Sequence, residues 1–226
     1  NIAITGSEGF IAKNLIHHLN DLKKYNLLLI SKKTSQSNFE KKIKDANLIF
    51  HLAGINRPKN KKEFKNNYLL TDKITDILLK TKKKTPIIFT STTQVISKTS
   101  YGNSKLKSEK ILINLKKKNK NSICIFRLPN VFGKWSRPNY NSVVATFCTN
   151  IIKNKKSKVK KNNSLNLVYI DDIINIFFSY LEKKKWKNNY QKLNNITKIK
   201  VGDLYNIIEN FYSLEKLRWD GKPRTQ

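Results

Sequence analysis

The chain has no methionine, two cysteines, five prolines and seven glycines among 226 residues. Cys124 and Cys148 stand far apart, each inside an apolar stretch. That excludes a disulfide scaffold and the close pairing of zinc or redox motifs, and it suits buried thiols in a reducing cytoplasm. No apolar run reaches the length of a membrane span and no secretory leader opens the chain, so a cytoplasmic protein without membrane contact is expected. Asn1 already stands in a strand-like run, which together with the missing methionine implies that the start of the reading frame lies upstream. The three histidines, His17, His18 and His51, lie at no metal-ligand spacing from a carboxylate, so no metal site is expected.

Acid is scarce as well: 15 Asp and Glu face 46 Lys and Arg, a formal net charge of +31. Such an excess is the footprint of nucleic-acid binding when it is clustered among arginines and stacking aromatics. Here the basic runs at 82–84, 116–120, 153–161 and 183–187 fall between elements and are mixed with asparagine. They read as solvated faces, and nucleic acid is not the expected partner. With 38% hydrophobic residues the chain can bury one substantial core.

Short apolar runs alternate with longer segments of helical period, the pattern of stacked β-α-β units. The fold class expected is α/β, a Rossmann-like doubly wound parallel sheet with a small C-terminal substrate-binding lobe. Strands are predicted at 2–5, 27–30, 48–52, 86–90, 123–128 and 165–169, and helices at 10–19, 62–80, 102–118, 142–153, 171–182 and 201–211. Residues 1–130 would form the dinucleotide-binding domain. Residues 131–226 would form the lobe, with elements returning to the sheet, the two making one structural unit.

The first strand runs into Thr5-Gly6-Ser7-Glu8-Gly9-Phe10-Ile11-Ala12 and then the first helix. Glycines at this spacing between strand and helix give a tight turn, let backbone approach a pyrophosphate and leave helix amides free to bind it. Gly6, Ser7, Gly9, Phe10 and Ile11 are therefore candidate cofactor contacts. An NAD-selective site has an acid after the second strand to hold the ribose hydroxyls; here the residues are Ser31, Lys32 and Lys33. A hydroxyl and two ammonium groups suit a 2′-phosphate, which makes NADP(H) the preferred cofactor and NAD(H) the alternative. Leu52, Ala53 and Gly54 close the third strand where backbone could pass close to the adenosine half, and Leu128 joins the set from the fifth.

Thr90-Ser91-Thr92-Thr93 ends the fourth strand, and Tyr101 and Lys105 share a helical face four residues apart. An ammonium beside a phenol would lower the tyrosine pKa toward working pH and make it an acid/base, with Thr92 holding the reacting oxygen. The Tyr-x-x-x-Lys spacing recurs at Tyr180/Lys184 and Tyr212/Lys216, but without a hydroxyl-rich strand end upstream, and both read as helix-surface pairs.

These residues resemble the extended short-chain dehydrogenase/reductase family, the NAD-dependent epimerase/dehydratase group. The stretches 127–135 (RLPNVFGKW), 137–147 (RPNYNSVVATF), 51–59 (HLAGINRPK) and 167–172 (LVYIDD) look like the capsular-polysaccharide reductases that form UDP-2-acetamido-2,6-dideoxy-L-talose. The resemblance implies NADPH-dependent reduction at carbon 4 of a UDP-linked 4-keto-6-deoxy-N-acetylhexosamine, in capsule or O-antigen precursor synthesis. It implies Tyr101 as proton donor, Lys105 on the nicotinamide ribose, Thr92 as the catalytic hydroxyl with Ser91 as fallback, and a homodimer. Asn56, Arg57, Ser91, Asn130, Arg137 and Asn141 become the substrate-binding candidates, Arg137 on the strongest physical ground because a guanidinium grips phosphate through two donors. Members of this subfamily carry a second, metal-binding cupin domain with no counterpart here. The likeness fades after residue 211, where 218–224 is similar to the tail of GDP-fucose synthases. Two other readings use the same residues: a nucleotide-sugar 4-epimerase or 4,6-dehydratase with bound NAD, and a non-catalytic NADP(H)- or polyanion-binding module.

Overall fold

The computed structural model describes residues 1–97, 99–181 and 189–218, with side chains described as far as Glu215. Four β-α steps and a fifth strand open the chain: β1 (Ile2–Thr5), α1 (Phe10–Asp21), β2 (Leu27–Ile30), α2 (Gln36–Asp45), β3 (Leu48–His51), α3 (Lys65–Lys80), β4 (Ile87–Thr92), α4 (Ser100–Asn119) and β5 (Ile123–Leu128). There follow β6 (Asn130–Phe132), α5 (Val143–Ile152), β7 (Ser164–Tyr169), α6 (Ile170–Leu181), β8 (Tyr190–Gln191), β9 (Thr197–Lys200) and α7 (Val201–Arg218).

The first sheet is parallel throughout, in the order β2-β1-β3-β4-β5-β8, and β6-β7-β9 form a second, smaller one. Strands buried on both faces read as largely apolar runs, and β1 and β5 match their predicted bounds to the residue, as does the apolar edge strand β2. Side chains alternate along each strand between two cores. Ile4, Phe50, Ile88 and Phe126 pack with α1 and α6, while Ala3, Ile49, Phe89 and Ile125 pack with α2, α3 and α4. Each fully buried Leu, Ile or Phe contributes about 1.5–3 kcal/mol relative to exposure. A third cluster, with Phe147, Leu167, Val201 and Leu204 at its centre, joins α5, β7 and α7. Strand order reverses between β1 and β3, so the crevice at the carboxyl ends of β1, β3 and β4 is where a sheet of this topology takes a ligand.

Several elements depart from expectation. α2 was not predicted, because only Phe39 and Ile43 of its ten residues enter the core. Those two, four apart, suffice to dock it once Ser35 caps its first turn by accepting from Asn38 N–H. The helix expected over 62–80 is a 3-10 turn, Lys61–Phe64, followed by α3. β4 runs two residues further than predicted, through Ser91 and Thr92. β6 and β8, three and two residues long, are too short to have stood out, and β9 (Thr-Lys-Ile-Lys) carries a single apolar residue. Tyr180 is no surface residue: its ring packs edge-on against Phe126 at 5.5 Å and its hydroxyl donates to Gln191 at 2.5 Å. Cys124 is buried as expected, whereas Cys148 is half-buried. Lys184, the run 183–187 and the stretch 219–226 lie outside the described residues, as does the Lys216 side chain. No helix among the described residues is long and apolar enough to cross a membrane.

Candidate active site

Gly6 turns the chain out of β1 with φ +69°, and a β-carbon there would lie 2.7 Å from Ala53 Cα. Only glycine fits both the left-handed backbone and this approach. Gly9 caps α1, donating its N–H to Gly6 O at 2.8 Å, and no acidic side chain occupies the first helical turn. The leading amides of α1 thus face the crevice, able to hold the pyrophosphate of a dinucleotide.

Behind this turn runs an enclosed hydrogen-bond chain. Ala53 N–H donates to Thr5 Oγ1 (3.2 Å), Thr5 Oγ1 meets His51 Nδ1 (2.8 Å), His51 Nε2 meets Thr71 Oγ1 (2.9 Å), and Thr71 donates to Asn67 O (3.0 Å). Because Thr71 gives its own proton to Asn67, the imidazole carries hydrogen on Nε2 and accepts from Thr5 at Nδ1. Burial, reinforced by the charge of Lys105, pushes the His51 pKa down to about 3, so the ring is neutral. The Asn67 side chain then ties Ile55, through both backbone groups, to the Ser104 hydroxyl at 2.9 Å.

At the end of β4, Thr92 caps a 3-10 turn, Thr93–Ile96, by accepting from Gln94 N–H at 3.2 Å. Thr99 caps α4. A β-carbon on Gly102 would come within 2.1 Å of Gln94 O, so the absence of a side chain lets the start of α4 lie against that turn. Tyr101 follows the cap, and burial, with a smaller effect of Tyr140, pushes its pKa up to about 12. Lys105 is 2% exposed, with Nζ 4.1 Å from the Phe89 ring centroid. Burial pushes its pKa down to about 7, against an opposing pull from Glu109. The expectation that the ammonium would lower the Tyr101 pKa is therefore corrected: desolvation governs both groups and moves each toward its neutral form.

A cavity of about 300 Å³ joins these parts, a volume at the lower end of the range for small-molecule sites. Its walls include Gly6, Gly9, Phe10, Ile11, Leu52, Gly54, Asn56, Ser91, Thr92, Tyr101, Lys105, Leu128, Asn130, Arg137 and Asn141, all named from the sequence. Five expected contacts lie off it. Ser7 uses its N–H on Ile30 O, Ala53 is pressed beneath Gly6, and the Ser31 hydroxyl accepts from Lys33 N–H. Lys32 projects into solvent beside the turn. Arg57 donates to Asn139 O at 3.1 Å, bracing the loop that carries Arg137, Tyr140 and Asn141. Ser91 lines the cavity, but its hydroxyl donates to Glu109 at 2.5 Å. Glu8, Gln94 and Tyr140 line it and were not singled out; Tyr140 stood inside a quoted run, and its charge effect on Tyr101 is a contact only the fold reveals. Among the described residues no group of three or more His, Cys, Asp and Glu could hold a metal ion.

A glycine-turn crevice lined also by a threonine and by a tyrosine and a lysine four residues apart defines the class of nicotinamide-dependent short-chain dehydrogenases/reductases. Residues 2–195 match the NAD dependent epimerase/dehydratase family, and the chain belongs to it. It is 36% identical over 217 residues to UDP-2-acetamido-2,6-beta-L-arabino-hexul-4-ose reductase of Pseudomonas aeruginosa, covering 95% of this chain and 58% of that one. The crystal structure of the capsular polysaccharide assembling protein CapF from Staphylococcus aureus superposes with a TM-score of 0.86 at 35% identity, over 96% of this chain and 60% of that one. The chain thus spans about three fifths of the length of these relatives. UDP-glucose 4-epimerase of Thermotoga maritima, solved with UDP-glucose, shares the fold: TM-score 0.80 at 18% identity, covering 100% of this chain and 85% of that one.

Proposed function

We propose that the chain carries out the NADPH-dependent reduction of carbon 4 in a UDP-linked 4-keto-6-deoxy-N-acetylhexosamine, within capsule or O-antigen precursor synthesis. The observation that carries this is the meeting of Thr92, Tyr101 and Lys105 on one cavity with Gly6 and Gly9 of the glycine turn. The names of the Pseudomonas and Staphylococcus relatives support the choice of reaction and substrate class.

NADPH bound here supplies a hydride to the carbonyl carbon. Tyr101 donates its phenolic proton to the oxygen as it becomes an alkoxide, a role that suits a group keeping its proton up to about pH 12. Thr92 holds the same oxygen by a hydrogen bond; it is preferred to Ser91, whose hydroxyl is already given to Glu109. Lys105 binds the nicotinamide ribose, and its ammonium, when protonated, favours the phenolate left by proton transfer. The α1 amides hold the cofactor pyrophosphate, while Lys32, exposed beside the turn, meets a 2′-phosphate. Asn56, Asn130, Arg137 and Asn141 receive the sugar and its diphosphate, with Arg137 the main phosphate contact. The active unit is a homodimer.

The test is a single-turnover absorbance measurement at 340 nm, with NADPH, purified protein and the UDP-4-keto sugar. Loss of NADPH in the wild type and not in Tyr101→Phe is expected. Binding of NADPH with no consumption across related keto sugars would reject the reductase and leave a cofactor-binding module.

A further inference from the structure

Glu109 takes no direct part in the reaction above, yet its side chain is fully buried. Its carboxylate accepts from Ser91 Oγ (2.5 Å), Arg127 Nε (3.0 Å), Arg127 Nη2 (2.6 Å) and Tyr190 O–H (3.3 Å). These donors come from the ends of β4, β5 and β8, and the Arg127 guanidinium also lies 4.6 Å over the Tyr190 ring. The two-pronged geometry is that of a charged guanidinium–carboxylate pair. Stability alone gives little reason for one, since a buried ion pair is often matched or bettered by apolar residues of equal volume.

Position gives a better reason. Glu109 follows Lys105 by four residues on α4, one turn on and on the same face, with about 6 Å of helix between them. The Lys105 ammonium sits over Phe89, flanked by Tyr101 one turn before it and by neutral His51 on β3. On the strand side, Ser91 immediately precedes Thr92, so its bond to Glu109 anchors the last residues of β4.

We propose that Glu109 is a positioning residue of this site: it supplies the negative charge facing Lys105 from inside the fold and, through Ser91, fixes the strand end that presents Thr92. The role rests on Thr92, Tyr101 and Lys105 being the reacting set. The opposing influence of Glu109 on Lys105 titration accords with it.

The charge on Lys105 can be read without turnover, by competitive acetylation of the full chain across pH and peptide mass spectrometry. Glu109→Gln lowers the midpoint for Lys105 by about one pH unit or more. Should that variant fail to fold with Arg127 left unpaired, the double variant Glu109→Gln/Arg127→Met removes both charges and is expected to shift the midpoint the same way. Ser91→Ala leaves the midpoint in place and slows single-turnover NADPH oxidation about tenfold. A Lys105 midpoint unmoved in the Glu109 variants overturns the electrostatic role, and an unslowed Ser91→Ala overturns the strand-end role. Shifted midpoints in a protein whose wild type oxidises no NADPH would count against the reductase reading and leave the charge coupling standing.

Discussion

His51 and Lys105 are buried bases whose folded and unfolded states hold protons differently. His51 titrates near 3 when folded against an ordinary 6.5, so below pH 6.5 the unfolded chain binds the extra proton. Its contribution to stability is present above pH 6.5 and is lost as pH falls toward 3, at up to about 1.4 kcal/mol per unit. Urea titrations between pH 6.5 and 4 should show a shallower loss of stability in His51→Gln than in the wild type; equal slopes would mean that another group controls the acid limb. Tyr101→Phe removes the proton donor and leaves the ring. The expected result is a fall in single-turnover rate of about 10²- to 10⁴-fold with NADPH affinity, followed by cofactor fluorescence, within about twofold of wild type.

Elements were legible in the sequence where burial is apolar, and hidden where it is polar. β2 is an unbroken apolar run, and β1 and β5 are interrupted only by Thr5 and Arg127; β4 runs past its predicted bound of residue 90 because Ser91 and Thr92 carry no apolar signal, and Glu109 receives the first of them. The glycine turn and the Tyr101/Lys105 pair are local patterns. The Glu109 cluster joins residues 18 and 81 positions apart, and no window of sequence contains it. Arg57 was expected at substrate from the resemblance of 51–59, whereas its guanidinium donates to Asn139 O, a loop contact set by tertiary packing. The close seat of α4 on the Thr93–Ile96 turn gives an element-scale test. Gly102→Ala must push Gln94 O away, and it should lower the single-turnover rate more than tenfold while NADPH binding holds. An unchanged rate would show that the start of α4 can shift without moving Tyr101.

For the molecule as a whole, the net charge of +31 has few internal counterweights. The Arg127–Glu109 pair is one such counterweight; the 3.9 Å contact between His17 and Asp21 would be another only with the imidazole protonated. Self-repulsion should therefore be screened by salt, whose Debye length falls from about 30 Å at 0.01 M to about 8 Å at 0.15 M. Thermal melts over that range should move upward by several degrees, and a flat Tm would place the lysines too far apart to matter. The same core that seats the site also orders its assembly in time. Phe177 on α6 contacts Phe50 and Phe126, each at 5.4 Å between ring centroids, so the face of the sheet that α1 begins to cover is completed only by a helix made late. A nascent chain halted after β5 would leave the α6 side of that face uncovered on the ribosome, a ready target for a chaperone. Vectorial synthesis alone cannot close the dinucleotide half before α6 emerges from the exit tunnel.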